Sequence, residues 1–341
     1  MLWIQKYLID IVVPDGSAWT VRVMRLPRVM NAEDTIEYLF SASSRAQGGG
    51  GDQTSRARRR NINRLHELGR RADSLFSSYV TGFPSFNEGT FEYEMADVLI
   101  GVDELKKAIA SVHGCRNNIV TIASRAARQI ARARGIGEMR TARESAYGRI
   151  ASMIRGIDGR LNFLSEAAQR LREIPQIDAE NNVVVAGFPN VGKSSFISFV
   201  SNAKTRIEPY PFTTTRLIIG RGSISSFPVD FIDSPGLTER AFRTTNQYER
   251  KALLAIKYKA SLLLYIVDPT GSCGYSTEVQ TELYEALCSE FGTRRRMVAY
   301  SKADISGIPS SQKIISFSSM TGYGMDVLLG RLNEELFGKG N

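Results

Sequence analysis

The sequence predicts an α/β protein in two parts. An N-terminal antiparallel helical bundle precedes a domain with a mostly parallel sheet and helices on both faces. Three observations predict this. From about residue 60 to 174 the apolar residues recur with a helical period, and after residue 180 short β-rich runs alternate with helical stretches. The 341 residues also exceed the roughly 250–300 at which one core stops growing. An apolar fraction of 43% with 23% charged residues is ordinary for a soluble globular chain. No window approaches the ~20 apolar residues that span a bilayer, so no membrane partner is expected.

The N-terminal stretch "MLWIQKYLIDIVV" carries Lys6 and Asp10 and no small-residue cleavage site, which argues against a signal peptide. Cys115, Cys273 and Cys288 are scattered without metal-ligand spacing and suit a reducing compartment, so the expected localisation is cytoplasmic. Residues 1–26 read as a β-hairpin, two alternating runs around Pro14-Asp15-Gly16, with Trp3 and Trp19 in its core.

Residues 27–175 are expected to form the bundle. Inside them "SASSRAQGGGGDQTSRARRR" (41–60) joins four consecutive glycines to clustered arginines and reads as a mobile basic insert. "YGRIASMIRGIDGRLNFLSEAAQRLREIP" places Ile150, Met153, Ile154, Ile157, Leu161, Leu164 and Leu171 near one helix face, and Pro175 ends that helix. Two further amphipathic segments lead to loops near Gly114 and Gly135-Ile136-Gly137.

The net charge of +9 is uneven: residues 1–175 hold 26 Lys/Arg, 23 of them Arg, against 19 Asp/Glu, and residues 176–341 hold 18 against 16. Between Arg125 and Arg172 stand eleven arginines and four acids, many of the arginines opposite the apolar stripe of their helix. Arginine forks fit phosphates, which points to a nucleic acid; a solvated helix surface is the alternative that composition leaves open.

In residues 181–341 the β-rich runs are "NVVVAG", "RLIIGRG", "PVDFID", "SLLLYIVD", "RRMVAYS" and "QKIISFS", with helical stretches near 193–202, 246–258, 276–290 and 322–336. The first run opens onto "GFPNVGKSS", a G-x-x-x-x-G-K-[ST] loop: Gly187, Phe188, Pro189, Asn190, Val191, Gly192, Lys193, Ser194, then Ser195. Glycine lets backbone amides approach a phosphate chain without a Cβ in the way. Lys193 is placed to neutralise β- and γ-phosphates and Ser194 to hold Mg²⁺, with the positive end of the following helix aimed at the anion. A glycine-rich turn of no function is the alternative for this pattern taken alone.

Later motifs reduce that alternative. In "VDFIDSPG", Asp233 ends a second apolar strand, where it can hold Mg²⁺ through water, and the Gly236 amide can meet a γ-phosphate. In "YSKADIS", Asp304 beside Lys302 fits guanine N1–H and N2–H₂; in "FSSMTGYG", the Ser319 amide between Ser318 and Met320 fits guanine O6. Each fragment is weak alone, and their order after one P-loop makes the signal.

This motif set resembles GTP-binding G domains over residues 181–341. Through "YPFTTT" (Tyr210 to Thr215) it resembles the Obg-related branch, in which a switch threonine completes the Mg²⁺ shell; the match falls on Thr214, with Thr213 as its neighbour. "YIVDPTGSCGYSTEVQ", "NQYERKALLAIKY" and the helical stretch before the G domain resemble the nucleolar GTP-binding protein (Nog-type) family of ribosome-assembly GTPases. The chain ends without the long C-terminal extension of eukaryotic members and so resembles a compact archaeal type. Residues 1–26 have no counterpart and read as a lineage extension or an upstream start before Met24 or Met30.

The resemblance implies a GTPase switch with GTP/GDP and Mg²⁺, in which Lys193, Thr214 and Gly236 serve catalysis. Its implied partners are rRNA and the large ribosomal subunit or its precursor, with no DNA, in a monomeric protein.

Departures from the family pattern matter. Ser301 stands where N-K-x-D has asparagine, removing an amide that braces loop and purine, and Ser234 replaces the threonine of D-T-P-G. Leu237 occupies the place of a water-positioning glutamine, so slow intrinsic hydrolysis is expected. Asn190 matches the asparagine that binds K⁺ in related GTPases, or else caps the loop internally. His66 and His113 read as surface or packing residues and Cys273 as packing. Two other functions compete: an Obg or developmentally regulated type GTPase in translation or stress signalling, whose Gly-rich or TGS modules leave no pattern here, and an RNA-binding scaffold that holds GTP and rarely hydrolyses it.

Overall fold

The computed structural model describes residues 8–12, 20–44, 52–175, 177, 180–201, 205–209, 216–233, 255–292, 295–311 and 313–338. Strand β1 (Leu8–Val12) pairs with β2 (Thr20–Met24), the two arms of the expected hairpin; its expected turn and Trp3 and Trp19 lie outside the described residues. Close contacts divide the chain into two compact units.

The first unit holds α1 (Ala32–Ser44), α2 (Gln53–Thr81), α4 (Val102–Arg132), α5 (Ile136–Gly156) and α6 (Asp158–Arg170). α2 and α4 run antiparallel. Arg58 at the start of α2 donates to the Ala133 carbonyl (2.8 Å), Arg116 donates to Asp73 (2.7 Å), and Gly69 between them faces Ala123. A Cβ on Gly69 would stand 3.3 Å from the Ala123 Cβ, so a glycine and an alanine let the two axes approach closely. Leu65, Leu68, Ala72 and Phe76 of α2, Leu105, Val112, Ile119 and Ile130 of α4, and Met139, Ile150 and Ile154 of α5 are buried together with Leu161 and Leu164 of α6.

Three expectations for this region are corrected. Gly114 makes no loop: it lies inside the 31-residue α4, because the stripe Leu105, Ala108, Val112, Cys115, Ile119 continues in helical register across it. The long helix expected to end at Pro175 breaks at Ile157, between α5 and α6, where Asp158 accepts the Ala32 N–H (2.8 Å). Met153 and Ile157 are only half-buried at that break. In the insert at 41–60, residues 41–44 and 53–60 are helical: Asp52 caps α2 by accepting the Ser55 N–H (3.1 Å), and arginine is a good helix former. The loop expected near Gly135-Ile136-Gly137 is present between α4 and α5, at Ala133–Gly135, with Ile136 and Gly137 already helical.

The segment Phe86–Leu99, carrying most of α3 (Phe91–Ile100), groups with the second unit and not with the bundle, as its place in the sequence had suggested. Lys259 explains this: its ammonium pairs with Glu92 (2.7 Å), lies over the buried Phe91 ring and donates to the Ile177 carbonyl (3.2 Å).

The second unit is built on a six-stranded sheet of β3 (Asn181–Ala186), β4 (Arg206–Pro209), β5 (Arg216–Ile224), β6 (Phe227–Asp233), β7 (Leu262–Val267) and β8 (Arg295–Tyr300), in the order β4-β5-β6-β3-β7-β8. β6, β3, β7 and β8 pair in parallel, while β5 is antiparallel to β4 and β6. Val183 to Ala186 and all six residues of β7 are buried, the continuous apolar run of a strand covered on both faces. β4 was not foreseen, and "QKIISFS" contributes only the parallel bridge Tyr300–Ser316. Helices α7 (Lys193–Val200), α8 (Thr277–Phe291), α9 (Ala303–Ser306) and α10 (Met325–Phe337) follow strands, and Ile256–Tyr258 forms a short 3-10 turn inside the expected helix 246–258.

Two strand glycines seat α7. A Cβ on Gly220 would meet Ile197 and Ser201, and one on Gly222 would collide with the Val200 carbonyl. Gly222→Ala is therefore expected to lower the unfolding free energy by about 1–3 kcal/mol in urea titrations, because backbone must shift. Gly330→Ala in α10, with no atom within 4 Å of the new Cβ, is expected to raise it by up to about 1 kcal/mol.

Candidate functional site

Because β6, β3, β7 and β8 run parallel, their C-terminal ends share one edge of the sheet. The chain leaves β3 toward β6 and later returns on the other side as β7, the switch point where α/β sheets open a crevice. Four of the expected segments end there: the loop after β3, Asp233 at the end of β6, Ser301-Lys302 after β8, and Ser318–Met320 beyond the Ser316 bridge.

The loop from Gly187 to Gly192 has the backbone its glycines permit. Gly187 (φ +142°) leaves no room for a Cβ, which would stand 2.5 Å from the Ile266 carbonyl oxygen. Asn190 (φ 63°) and Gly192 (φ +104°, capping α7) are also left-handed. Phe188 stacks on Tyr275 with centroids 4.1 Å apart, Val191 is buried, and Pro189, Asn190 and Ser195 are exposed. The Asn190 side chain makes no hydrogen bond among the described residues, so the internal cap is not formed there.

Lys193 is 7% exposed and donates to the Phe188 carbonyl (2.8 Å). Burial pulls its pKa down, opposed by the charge of Asp233. Asp233, 3% exposed, accepts the Ser194 hydroxyl on Oδ2 (2.7 Å), and its Oδ1 is buried without a partner among the described residues. Burial pushes its pKa up, opposed by Lys193 and Ser194. The Ser194 hydroxyl in the first turn of α7 and the orphaned carboxylate oxygen at the end of β6 form the oxygen pair a hard divalent cation takes, so this residue set fits magnesium.

On the other flank the structure supplies a residue that sequence reasoning missed. Asp268, fully buried at the end of β7, accepts from Lys302 Nζ (2.7 Å), the Thr270 N–H (3.0 Å) and hydroxyl (2.6 Å), the Ser272 hydroxyl (3.1 Å) and the Cys273 N–H (2.9 Å). Gln280 of α8 fixes the same corner through the Asp268 N–H and carbonyl. Against its burial, these bonds, Lys302 foremost, hold the Asp268 pKa down at about 2. An aspartate ending an apolar run just as Asp233 does was the available signal.

Lys302 (φ 56°) is thus pinned beside α9. Ser301 is buried, and its hydroxyl donates to the Val267 carbonyl (3.2 Å), so it ties to β7 and supplies no amide to the loop. Asp304 is exposed, and no side chain among the described residues pairs with it. Ser318 is buried and its Oγ accepts the Met320 and Thr321 N–H groups (both 3.3 Å), leaving the Ser319 N–H without an acceptor among the described residues; the Met320 side chain is exposed. Thr213, Thr214, Ser234, Gly236 and Leu237 lie outside the described residues. His66 and His113 are exposed on helices, and Cys273 is buried against Gln280 and Tyr275, a packing role.

Comparison with known proteins now identifies both domains. A model described as the NOG1 N-terminal helical domain matches residues 24–178, and one described as 50S ribosome-binding GTPase matches residues 182–302. Residues 24–178 thus carry the helical domain of the nucleolar GTP-binding protein (Nog-type) family, and residues 182–302 a GTPase domain. The second unit is a P-loop GTPase domain. Nucleolar GTP-binding protein 1 of Encephalitozoon cuniculi is 28% identical over 75% of this chain and 49% of its own length. An uncharacterized protein of Methanocaldococcus jannaschii is 32% identical over 63% of this chain and 60% of its own. The crystal structure of a nucleolar GTP-binding protein 1 from Plasmodium falciparum aligns at 27% identity and a TM-score of 0.42, covering 48% of this chain and 89% of that one. The chain thus spans about half the length of the curated Nog-type relatives it matches.

Asp268→Ala is expected to lower stability by about 2–3 kcal/mol, since it strands Lys302 and two hydroxyls. The Asp268 pKa falls on folding, so its contribution is full above about pH 3.8 and fades as pH drops toward 2. Acid unfolding followed by circular dichroism should show Asp268→Asn losing that part of the acid limb.

Proposed function

We propose that this protein is a GTP-binding and GTP-hydrolysing switch that acts in large ribosomal subunit assembly. The observation that carries the reading is the common sheet edge on which Lys193, Ser194 and the orphaned Asp233 Oδ1 stand on one side of the loop, with Lys302, Asp304 and the Ser319 N–H beyond its other end. In this reading the amides from Gly187 to Gly192 wrap the phosphate chain and Lys193 neutralises it. Ser194 and Asp233 hold magnesium, which supplies positive charge to the phosphates when bound.

The Asp304 carboxylate accepts the guanine N1–H and N2–H₂, and the Ser319 N–H donates to O6. Lys302, held by Asp268, covers the purine. A site built to hydrogen-bond these groups rejects adenine strongly, because its polar groups are then left unpaired.

Thr214, with Thr213 beside it, and Gly236 are assigned to the γ-phosphate-dependent switch, ordered with GTP and released after hydrolysis. Leu237 cannot orient water by hydrogen bonding, so intrinsic turnover is slow. Asn190, exposed and without a side-chain hydrogen bond among the described residues, is assigned to a K⁺ ion that supplies charge in place of an arginine finger.

The partner assignment rests on the arginine-rich first unit, whose forks suit rRNA phosphates, and on the family: relatives are named nucleolar, and the matching model is described as ribosome-binding. No helix among the described residues is long and apolar enough to cross a membrane. We assign the protein to the cytoplasm as a monomer.

A second reading, a scaffold that holds GTP with little hydrolysis, draws on Ser301, whose hydroxyl is spent on β7. Titration calorimetry is expected to show GDP and GTP binding at least 100-fold tighter than ATP, with Lys193→Ala abolishing measurable GTP binding. Equal uptake of adenine nucleotides would refute the proposal. Turnover is expected to rise in K⁺ over Na⁺ and again with large ribosomal subunits; a negligible rate unmoved by both selects the scaffold.

A further inference from the structure

The arginines of the first unit divide into two populations. Arg116 pairs with Asp73, Arg140 with Glu144, Arg155 with Glu33, Arg160 with Glu104 and Arg170 with Glu166. These guanidiniums already have carboxylates, and their net field is small. Arg125, Arg128 and Arg132 on the last turns of α4 have no hydrogen-bond or ion-pair partner among the described residues. They line an open cleft of about 970 Å³ whose other wall is the first turns of α5.

The remaining polar groups of that cleft point the same way. Gln129, Thr141 and Ser145 line it, likewise without a partner among the described residues. Its one carboxylate, Glu138, accepts the Arg134 N–H (2.8 Å), so the lining sets three guanidiniums against one carboxylate and stays positive. Arg58 of α2 does not line the cleft, but it donates to the carbonyl of one residue that does, Ala133 (2.8 Å). The helix ends that meet here, the C-terminus of α4 and the N-terminus of α5, have opposed dipoles, so the positive field comes from the side chains.

We propose that the α4–α5 cleft is the site where this protein grips an RNA backbone. Arg125, Arg128 and Arg132 follow i, i+3, i+7, which spaces them by about 4.5 and 6 Å along the helix axis. A row of this kind suits successive phosphates of one strand better than a single small anion. Forked guanidiniums bind phosphate bidentately, and the hydroxyls of Thr141 and Ser145 with the Gln129 amide can meet ribose 2′-OH groups. The proposal rests on the RNA partner assigned above and gives it a location. It is independent of the nucleotide site, none of whose residues line the cleft.

The test is anisotropy of a fluorescein-labelled RNA duplex titrated with the full chain over a series of KCl concentrations. The variant Arg125→Ala/Arg128→Ala/Arg132→Ala is compared with a control, Arg140→Ala/Arg155→Ala/Arg170→Ala, which removes the same charge from arginines already paired. Each neutralised phosphate contributes about 0.9 to the slope of log K against log salt. The cleft variant should therefore lose about 2–3 of that slope and at least 10-fold in affinity, and the control less than 2-fold.

These side chains are exposed, so thermal melts of both variants should match the wild type. Equal losses in the two variants, or an unchanged cleft variant while the wild type binds RNA, overturn this site and leave the RNA partner standing. A wild type that binds no RNA overturns the partner as well, and calorimetry with GTP still judges the nucleotide reading. Competition by polyglutamate as strong as by unlabelled RNA overturns the proposal in favour of an acidic protein segment.

Discussion

Everything at the nucleotide edge depends on parallel pairing around β3. An antiparallel neighbour would send its terminal side chain to the opposite end of the sheet. β6 and β7 instead deliver Asp233 and Asp268 to the two flanks of the same loop. The register Val185–Asp233 sets the aspartate level with the penultimate residue of β3, and its carboxylate lies 2.7 Å from the Ser194 hydroxyl. The glycines of β5 serve this arrangement from a distance, since α7 carries Lys193 and Ser194 at its first turn and sits where Gly220 and Gly222 leave space.

The two aspartates show how environment divides one residue type into two roles. Asp268 is buried but saturated with donors, and its charge is stabilised. It acts as a post for Lys302. Asp233 is buried and under-served, with one oxygen lacking a partner among the described residues, and its charge is penalised. A protein interior keeps such an atom when an incoming group satisfies it. The same logic separates the bundle's arginines into those with carboxylates and those along α4 without them.

The helical unit was legible in outline and misjudged in its punctuation. Periodicity found the apolar faces of α4, α5 and α6, because burial of one stripe is a local, repeating demand. Glycine was over-read: Gly114 sits within α4 at a helical cost of roughly 1 kcal/mol relative to alanine, which tertiary packing outweighs. The break at Ile157 went unseen because the stripe runs straight through it, and its stabilising contact, Asp158 to the Ala32 N–H, joins residues 126 apart. The helical flanks of the basic insert were hidden by composition, which does not reveal that Asp52 caps α2.

The sequence by itself determined the two-part architecture, the P-loop and the strand-end aspartate Asp233, since these depend on local pattern: apolar runs, glycines in a fixed spacing, a carboxylate after a strand. Only the tertiary structure decided that Phe86–Leu99 belongs with the second unit, that Ser301 ties to β7, that Asp268 holds Lys302, and which arginines lack acids. The physical reason is that partnership is a property of distance in space. A side chain's charge is written in the chain, but whether another group already neutralises it depends on residues tens to hundreds of positions away.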